Sequence, residues 1–286
     1  LIYTNILIRP LMKIVKTKLL NRKFPFKEPL LPIKTSTEDF QILDSSLISL
    51  MKKIHEAFDK EREFTSNASH ELMTPISILQ TNAENLMMEE NTSEAIQDKI
   101  SDMMRTINRL KKIVQSLLYI SRIENDQFAK SDTVSVQELI TEVLNELSFR
   151  LETKSIQFTN EVSLKVKISQ VNHDLFFQLI YNLINNAIRY NKENGTISLS
   201  DEYTLGKPYL LFIKDTGVGI KQEEIATIFN RFKKSGADKG EGFGLGLSIV
   251  KSITAFHGFS IKASSEYGKG SVFTISIPAN FIEDEK

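Results

Sequence analysis

His70, Glu71, Thr74 and Pro75 fall within one short stretch, SHELMTPISIL (69–79), whose apolar residues recur at helical spacing. An imidazole titrates near neutrality, and here it stands beside an acid. Proline cannot donate to the Glu71 carbonyl, so a helix through this stretch is bent within one turn of His70. At 100° per residue, His70 lies about 200° from both Ala68 and Leu72 and points away from their apolar stripe. Thr74 and Ser77 share its face. A solvated surface histidine is the plain reading of His70, but it accounts for neither the acid nor the proline.

A second chemical group lies at QLIYNLINNAIRYN (178–191). Gln178, Asn182, Asn186 and Arg189 share one helical face, and Leu175, Leu179, Leu183 and Ala187 line another. Asparagine is an indifferent helix former, so Asn182, Asn185 and Asn186 together cost helix stability, which favours a ligand role over a merely solvated face. Amide oxygens are hard ligands suited to a magnesium ion that keeps waters and phosphate oxygens.

A third group is glycine-rich. KDTGVGI (214–220) follows a strand, placing Asp215 at a turn where Gly217 and Gly219 allow close approach to a ligand. GEGFGLGLSIV (240–250) carries Gly240, Gly242, Gly244 and Gly246 into a helix whose amides and positive dipole end suit phosphate. A flexible loop is the plain alternative. Between them, IFNRFKKSGADKGE (228–241) is lysine-rich, with Phe229 and Phe232 as anchors, and reads as a lid over the site.

Two kinds of element must position these groups. Phe40, Leu43, Leu47, Leu50, Ile54 and Ala57 step by three and four, and Phe64, Ala68, Leu72, Ile76, Leu79, Ala83 and Leu86 continue the stripe. Asn91 with Glu94 reads as a capping box. It opens a helix carrying Ile96, Ile100, Met103, Ile107, Leu110, Val114 and Leu117. A sustained 3.5-residue repeat implies supercoiling, so the hairpin is expected to dimerise into a four-helix bundle; a monomeric hairpin packed on its own second domain is the alternative. From about residue 130 strands alternate with helices, beginning with a Ser135–Glu138 capping box. That pattern predicts an α/β sandwich with helices on one face of a sheet.

The 286 residues are 41% hydrophobic and 25% charged, as for a foldable chain of about two domains. Formal net charge is zero, which argues against a nucleic-acid partner. With no cysteine there are no disulfides or thiolate metal sites. Four histidines (His55, His70, His173 and His257) lack metal-ligand spacing. The chain opens on Leu1 with a short apolar run, LIYTNILI, then Arg9, Lys13, Lys16, Lys18, Arg22 and Lys23. It reads either as an amphipathic helix or as the cytoplasmic end of a truncated membrane span, upstream of or ending near residue 8.

FTSNASHELMTP (64–75) resembles the phospho-acceptor box of the sensor histidine kinases. NLINNAIRYN, DTGVGI, IFNRF and GFGLGL resemble that family's nucleotide-binding boxes, in the expected order, so the resemblance runs over roughly residues 60–277. It implies a membrane-proximal, HAMP-like linker over 1–59, a dimerisation and phosphotransfer domain over 60–128, and an ATP-binding domain over 129–286. It implies autophosphorylation of His70 by ATP, transfer to an aspartate on a response-regulator receiver domain, and a phosphatase activity toward that regulator. By the same resemblance Glu71 takes the proton of the attacking imidazole, Asn186 ligates Mg2+, and Asp215 accepts a hydrogen bond from the adenine amino group. Asn182, Arg189 and the backbone at Gly244 and Gly246 would hold phosphates. Tyr190, Gly217, Gly219, Phe232, Gly242, Leu245 and Leu247 complete the implied nucleotide site. Thr74, one turn after His70, can orient a water for dephosphorylation, or back-bond to its own helix. Arg189 replaces the more usual lysine, which changes the fork of donors. The family context implies the cytoplasmic portion of a bacterial inner-membrane sensor that works as a homodimer. Another ATPase with the same nucleotide fold, or a non-catalytic signalling scaffold, are the competing readings.

Overall fold

The computed structural model describes residues 9, 11–20, 32–33, 38–88, 93–163, 166–233 and 243–283. Two compact units are distinguished, Leu1–Ala68 and Ser69–Lys286. In the first, a helical segment ends in a π-helical turn, Lys16–Leu20. There the Lys18 ammonium meets the Asp44 carboxylate at 2.7 Å with both side chains enclosed, and Asp44 also accepts from the Ile33 amide at 2.9 Å. Burying such a pair is tolerable because the two charges are mutually compensated. Residues 1–8, where a membrane span was expected to end, lie outside the described residues. No helix among the described residues is long and apolar enough to cross a membrane.

Helix α1, Glu38–Met87, runs unbroken through Pro75. Helix α2, Glu94–Glu124, begins with Ser93 at its N-cap in extended backbone and without a side-chain cap bond. Asn91, expected to open a capping box with Glu94, lies outside the described residues. In the second unit the heptad residues divide into two sets. Ile76 and Ala83 are buried against Ile100 and Ile107, with Met104 and Val114 packed beside them, and Lys111 donates to the Gln80 side chain across the hairpin at 3.1 Å. Leu72, Leu79, Leu86, Ile96, Met103 and Leu110 remain 44–51% exposed. One side of the seam is thus used within the hairpin and the other is left open.

Beyond α2 the chain forms the α/β layer structure. Strand β1 (Asp132–Ser135) leads into α3 (Val136–Thr153), where the Ser135 hydroxyl accepts from the Glu138 amide at 3.4 Å. Strands β2 (Gln157–Asn160) and β3 (Lys167–Val171) precede α4 (His173–Arg189), capped by Asn172 Oδ1 accepting from the Leu175 amide at 3.0 Å. Then come β4 (Thr196–Glu202), β5 (Tyr209–Asp215), a single turn α5 (Gln222–Ile225), α6 (Gly246–His257), β6 (Ser260–Glu266), β7 (Gly270–Ile277) and β8 (Ile282–Glu283). The main sheet has the order β2-β4-β5-β7-β6, parallel only between β2 and β4; β1, β3 and β8 form a second, small sheet.

Alternation along β5 turns Tyr209, Leu211 and Ile213 to one face, opposite Ile277, Ile275 and Phe273 of β7. Against that face pack Leu175, Leu179 and Leu183 of α4, Val143 and Leu147 of α3, and Val250 and Ile253 of α6. Ile120 and Ile123, at the end of α2, are fully enclosed members of this same core. The link after α2 is also packed: Phe128 meets Tyr119 and Phe256 edge-on, and Lys130 lies 3.9 Å from the centre of the Phe256 ring.

His257 closes α6 inside the core. Its Nε2 accepts from the Asn172 amide at 3.0 Å and its Nδ1 lies 3.0 Å from the Ile253 carbonyl, so the proton belongs on Nδ1. Burial lowers its pKa to about 4, with the nearby Lys130 charge acting in the same direction.

Candidate functional site

A cleft of about 370 Å³ opens between α4, the β5 turn and the start of α6. The polar face read from the sequence lines it: Gln178, Asn182, Asn186, Arg189 and Tyr190 all face the cleft, joined by Asp215, Gly219, Gly244, Leu245, Gly246 and Leu247.

Local bonds fix each donor and acceptor. The Asn182 amide nitrogen is tied back to the Gln178 carbonyl at 2.8 Å. A side chain started at Gly246 would come within 3.2 Å of Asn182 Oδ1, so glycine lets the first turn of α6 approach that oxygen. Asn185 accepts from Arg150 at 2.6 Å. The Asn186 amide forms no side-chain hydrogen bond among the described residues, which leaves its oxygen available to a ligand or metal. Lys154 reaches the end of α4 and donates to the carbonyls of Ile188, Arg189 and Asn191 at 3.0, 2.7 and 3.3 Å. It satisfies carbonyls that a helix C-terminus otherwise leaves open.

Asp215 is buried at the other end of the cleft. Burial raises its pKa, against the hydrogen bonds from the Gly217 and Ser271 amides. The Gly217 amide binds Asp215 Oδ1 at 2.8 Å. The turn is locked to α4 as well, because the Val218 amide donates to the Tyr190 carbonyl at 3.0 Å. Gly217 is required there: a side chain at that position would meet the same carbonyl at 2.3 Å. The asparagine helix and the glycine turn, far apart in sequence, are therefore held by one shared carbonyl.

Not every expected residue converges. Phe232 is 56% exposed, has a positive φ of 62° and does not line the cleft. Gly217 acts from behind the turn and is absent from the lining. Gly240 and Gly242, with most of the expected lid, lie outside the described residues. His70, Glu71 and Thr74 lie on α1; Glu71 and Thr74 are exposed and neither lines the cleft. Conversely, Arg150 on α3 and Lys112 and Ser116 on α2 line it without having been singled out by the sequence. Only their fold-level neighbours reveal them. At the base of the expected lid, Arg231 pairs with the Glu124 carboxylate at 2.6 and 2.8 Å, and Ser252 donates to the same carboxylate at 3.1 Å.

The chemistry on offer is recognition of a planar group with an amine at the buried carboxylate, of a cation at the amide oxygens, and of an anion at the opening turn of a helix. Residues 60–126 match the His Kinase A (phospho-acceptor) domain family, and residues 171–280 match the histidine kinase-, DNA gyrase B- and HSP90-like ATPase family. The signal transduction histidine-protein kinase ArlS of Staphylococcus aureus (strain USA300) is 29% identical over 280 residues, covering 96% of this chain. The chain spans 61% of the length of that relative. Among solved structures, the Acinetobacter baumannii histidine kinase AdeS is 26% identical, with a TM-score of 0.53 over 74% of this chain and 98% of that one. Full-length ShkA in complex with AMPPNP, 24% identical, shares the fold, with a TM-score of 0.63 over 78% of this chain and 46% of that one.

Proposed function

We propose that this chain is a sensor histidine kinase that autophosphorylates on His70 with ATP and passes the phosphoryl group to an aspartate on a response-regulator receiver domain. The observation that carries this reading is the pairing, in one chain, of a phospho-acceptor helix with a cleft built from Asn182, Asn186 and a buried Asp215.

In this reading Asp215 accepts a hydrogen bond from the adenine amino group. Asn182, Arg189 and the amides at Gly244 and Gly246 hold the phosphates, with Tyr190, Gly219, Leu245 and Leu247 shaping the cleft. The unbonded amide oxygen of Asn186 fits a magnesium ligand; the ion would supply neutralisation of phosphate charge. Phosphoryl transfer needs mainly such positioning and neutralisation. One nitrogen of His70 attacks the terminal phosphorus, ADP leaves, and Glu71 takes the proton from the other nitrogen. Thr74 orients the water that hydrolyses the phosphorylated regulator. The heptad residues left open on the hairpin meet a second copy of the chain, giving a homodimer. The basic segment from Arg9 to Lys23 follows a membrane span, so the chain is the cytoplasmic portion of a membrane sensor. The scaffold and other-ATPase readings have no observation in their favour, since the acceptor box and the cleft occur together.

Incubation with γ-labelled ATP and magnesium tests the central step. The label should be acid-labile and base-stable, as for a phosphohistidine, and His70→Gln should abolish it while nucleotide binding persists. Labelling retained in His70→Gln removes that residue from the role. The same assay, followed by a regulator dephosphorylation assay, should show Thr74→Ala labelled normally but slow as a phosphatase; equal loss of both activities would count against water orientation.

A further inference from the structure

Helices α2 and α6 lie alongside each other and run in the same direction. Midway along α2 the Arg109 guanidinium sits 5.7 Å from the centre of the Phe243 ring, just before α6. At the end of α2, Glu124 accepts from Ser252 in the middle of α6 at 3.1 Å. Lys112 and Ser116 fall between these two contacts and line the cleft together with Gly244, Gly246, Asn182 and Asn186. This is the end of the cleft at which α6 begins.

The cations around the cleft are not equivalent. Arg150 is engaged by Asn185, and Arg189 lies over the Tyr190 ring at 5.4 Å. Lys111, the neighbour of Lys112, is turned to the hairpin side and bonded to Gln80. Lys112 forms no hydrogen bond or ion pair among the described residues. An ammonium with three donors is thus set at the anion-binding end of the cleft, with no side-chain partner of its own among the described residues.

We propose that Lys112, carried by the hairpin and not by the α/β region, is a binding residue of the nucleotide site and contacts the polyphosphate of the bound nucleotide. The inference rests on the reading of the cleft as an ATP site. It makes the nucleotide a bridge between α2 and the α/β region, so that a nucleoside without phosphates is held by one side alone.

Titrating the 286-residue chain with ATP and, separately, with adenosine tests it. Lys112→Ala should raise the Kd for ATP about fivefold, as for one exposed charge contact, and leave adenosine unchanged. The difference should shrink in high salt, where exposed charges are screened. Lys112→Arg should keep most of the ATP affinity, and Lys111→Ala, which removes the same charge one residue away, should match the wild type. Unchanged ATP binding in Lys112→Ala, or equal weakening toward ATP and adenosine, overturns the role. Asn186→Ala separates the two levels: if it too leaves ATP affinity unaltered, the ATP-site reading fails, whereas a loss there without one in Lys112→Ala removes Lys112 alone.

Discussion

Leu175, Leu179 and Leu183 on α4, and Ile197, Leu199 and Leu211 on the strands beneath, have no exposed surface, whereas Leu72, Leu79, Ile96 and Met103 on the hairpin keep about half of theirs. The residue types are alike, so hydrophobicity does not separate the two regions. What differs is how many faces the architecture offers. A sheet covered by helices buries each apolar face within one chain. Two helices can cover only the sides they turn to each other, and Ile76, Ala83, Ile100 and Ile107 already occupy those sides. The α/β region thus covers its own apolar faces, while the hairpin leaves one apolar side uncovered within this chain.

Three measurements break or sharpen this contrast. The largest effect is expected from Leu79→Glu combined with Met103→Glu, which places two charges per protomer in the open seam. The dissociation constant of the dimer should rise about a thousandfold or more, given the cost of burying unpaired charge. Analytical ultracentrifugation should show monomer, and calorimetry an unchanged α/β transition. A dimer that survives would mean the seam is not the interface.

Next is Ile120→Ala, on a hairpin helix but inside the α/β core. It should cost about 2–5 kcal/mol, the usual range for such a cavity, read in denaturant unfolding of the α/β region. Ile96→Ala on the same helix should leave that transition in place. Equal effects would erase the distinction between the two ends of α2.

The third concerns acid. The unfolded chain protonates His257 near its ordinary pKa of 6.5, but the fold holds that pKa down to about 4. The unfolded state thus gains protons first, and the α/β region should lose stability as pH falls from 6.5 toward 4, by about 3 kcal/mol in all. The main cause is burial of the ring, and a second ring proton on Nε2 would also face the Asn172 amide. His257→Gln should flatten the slope over this window. A slope that persists in the variant assigns the acid loss to other groups.

Much of this was legible along the chain. The polar face of α4 is set by one helix's own periodicity, so Gln178, Asn182, Asn186 and Arg189 could be read together and do face one cleft. Ser135 as a cap is equally local. Strands β1 and β8, of four and two residues, are too short for alternation to register and exist through pairing with β3. The stripe on α2 shows that an apolar face exists but not what covers it, which is why residues 120–123 read as the tail of a hairpin helix when Ile120 and Ile123 belong to the α/β core. Lys154, Arg150 and Lys112 reach their positions only through tertiary packing, and no spacing announces them.

The burial of Ile120 and Ile123 has a further meaning for how the two regions can meet. Modules joined by slack chain find each other at an effective concentration that falls smoothly as the linker lengthens. Here the joint is a helix whose end is embedded in the second module, and the packed stretch from Phe128 to Lys130 adds no slack. Each residue added upstream of Arg109 would turn the α/β region by about 100° and advance it by about 1.5 Å. Seven residues, close to two full turns, would nearly restore its original azimuth. Encounter between the cleft and the proposed acceptor residue His70 is then governed by angular phase along α2, and not by tether length.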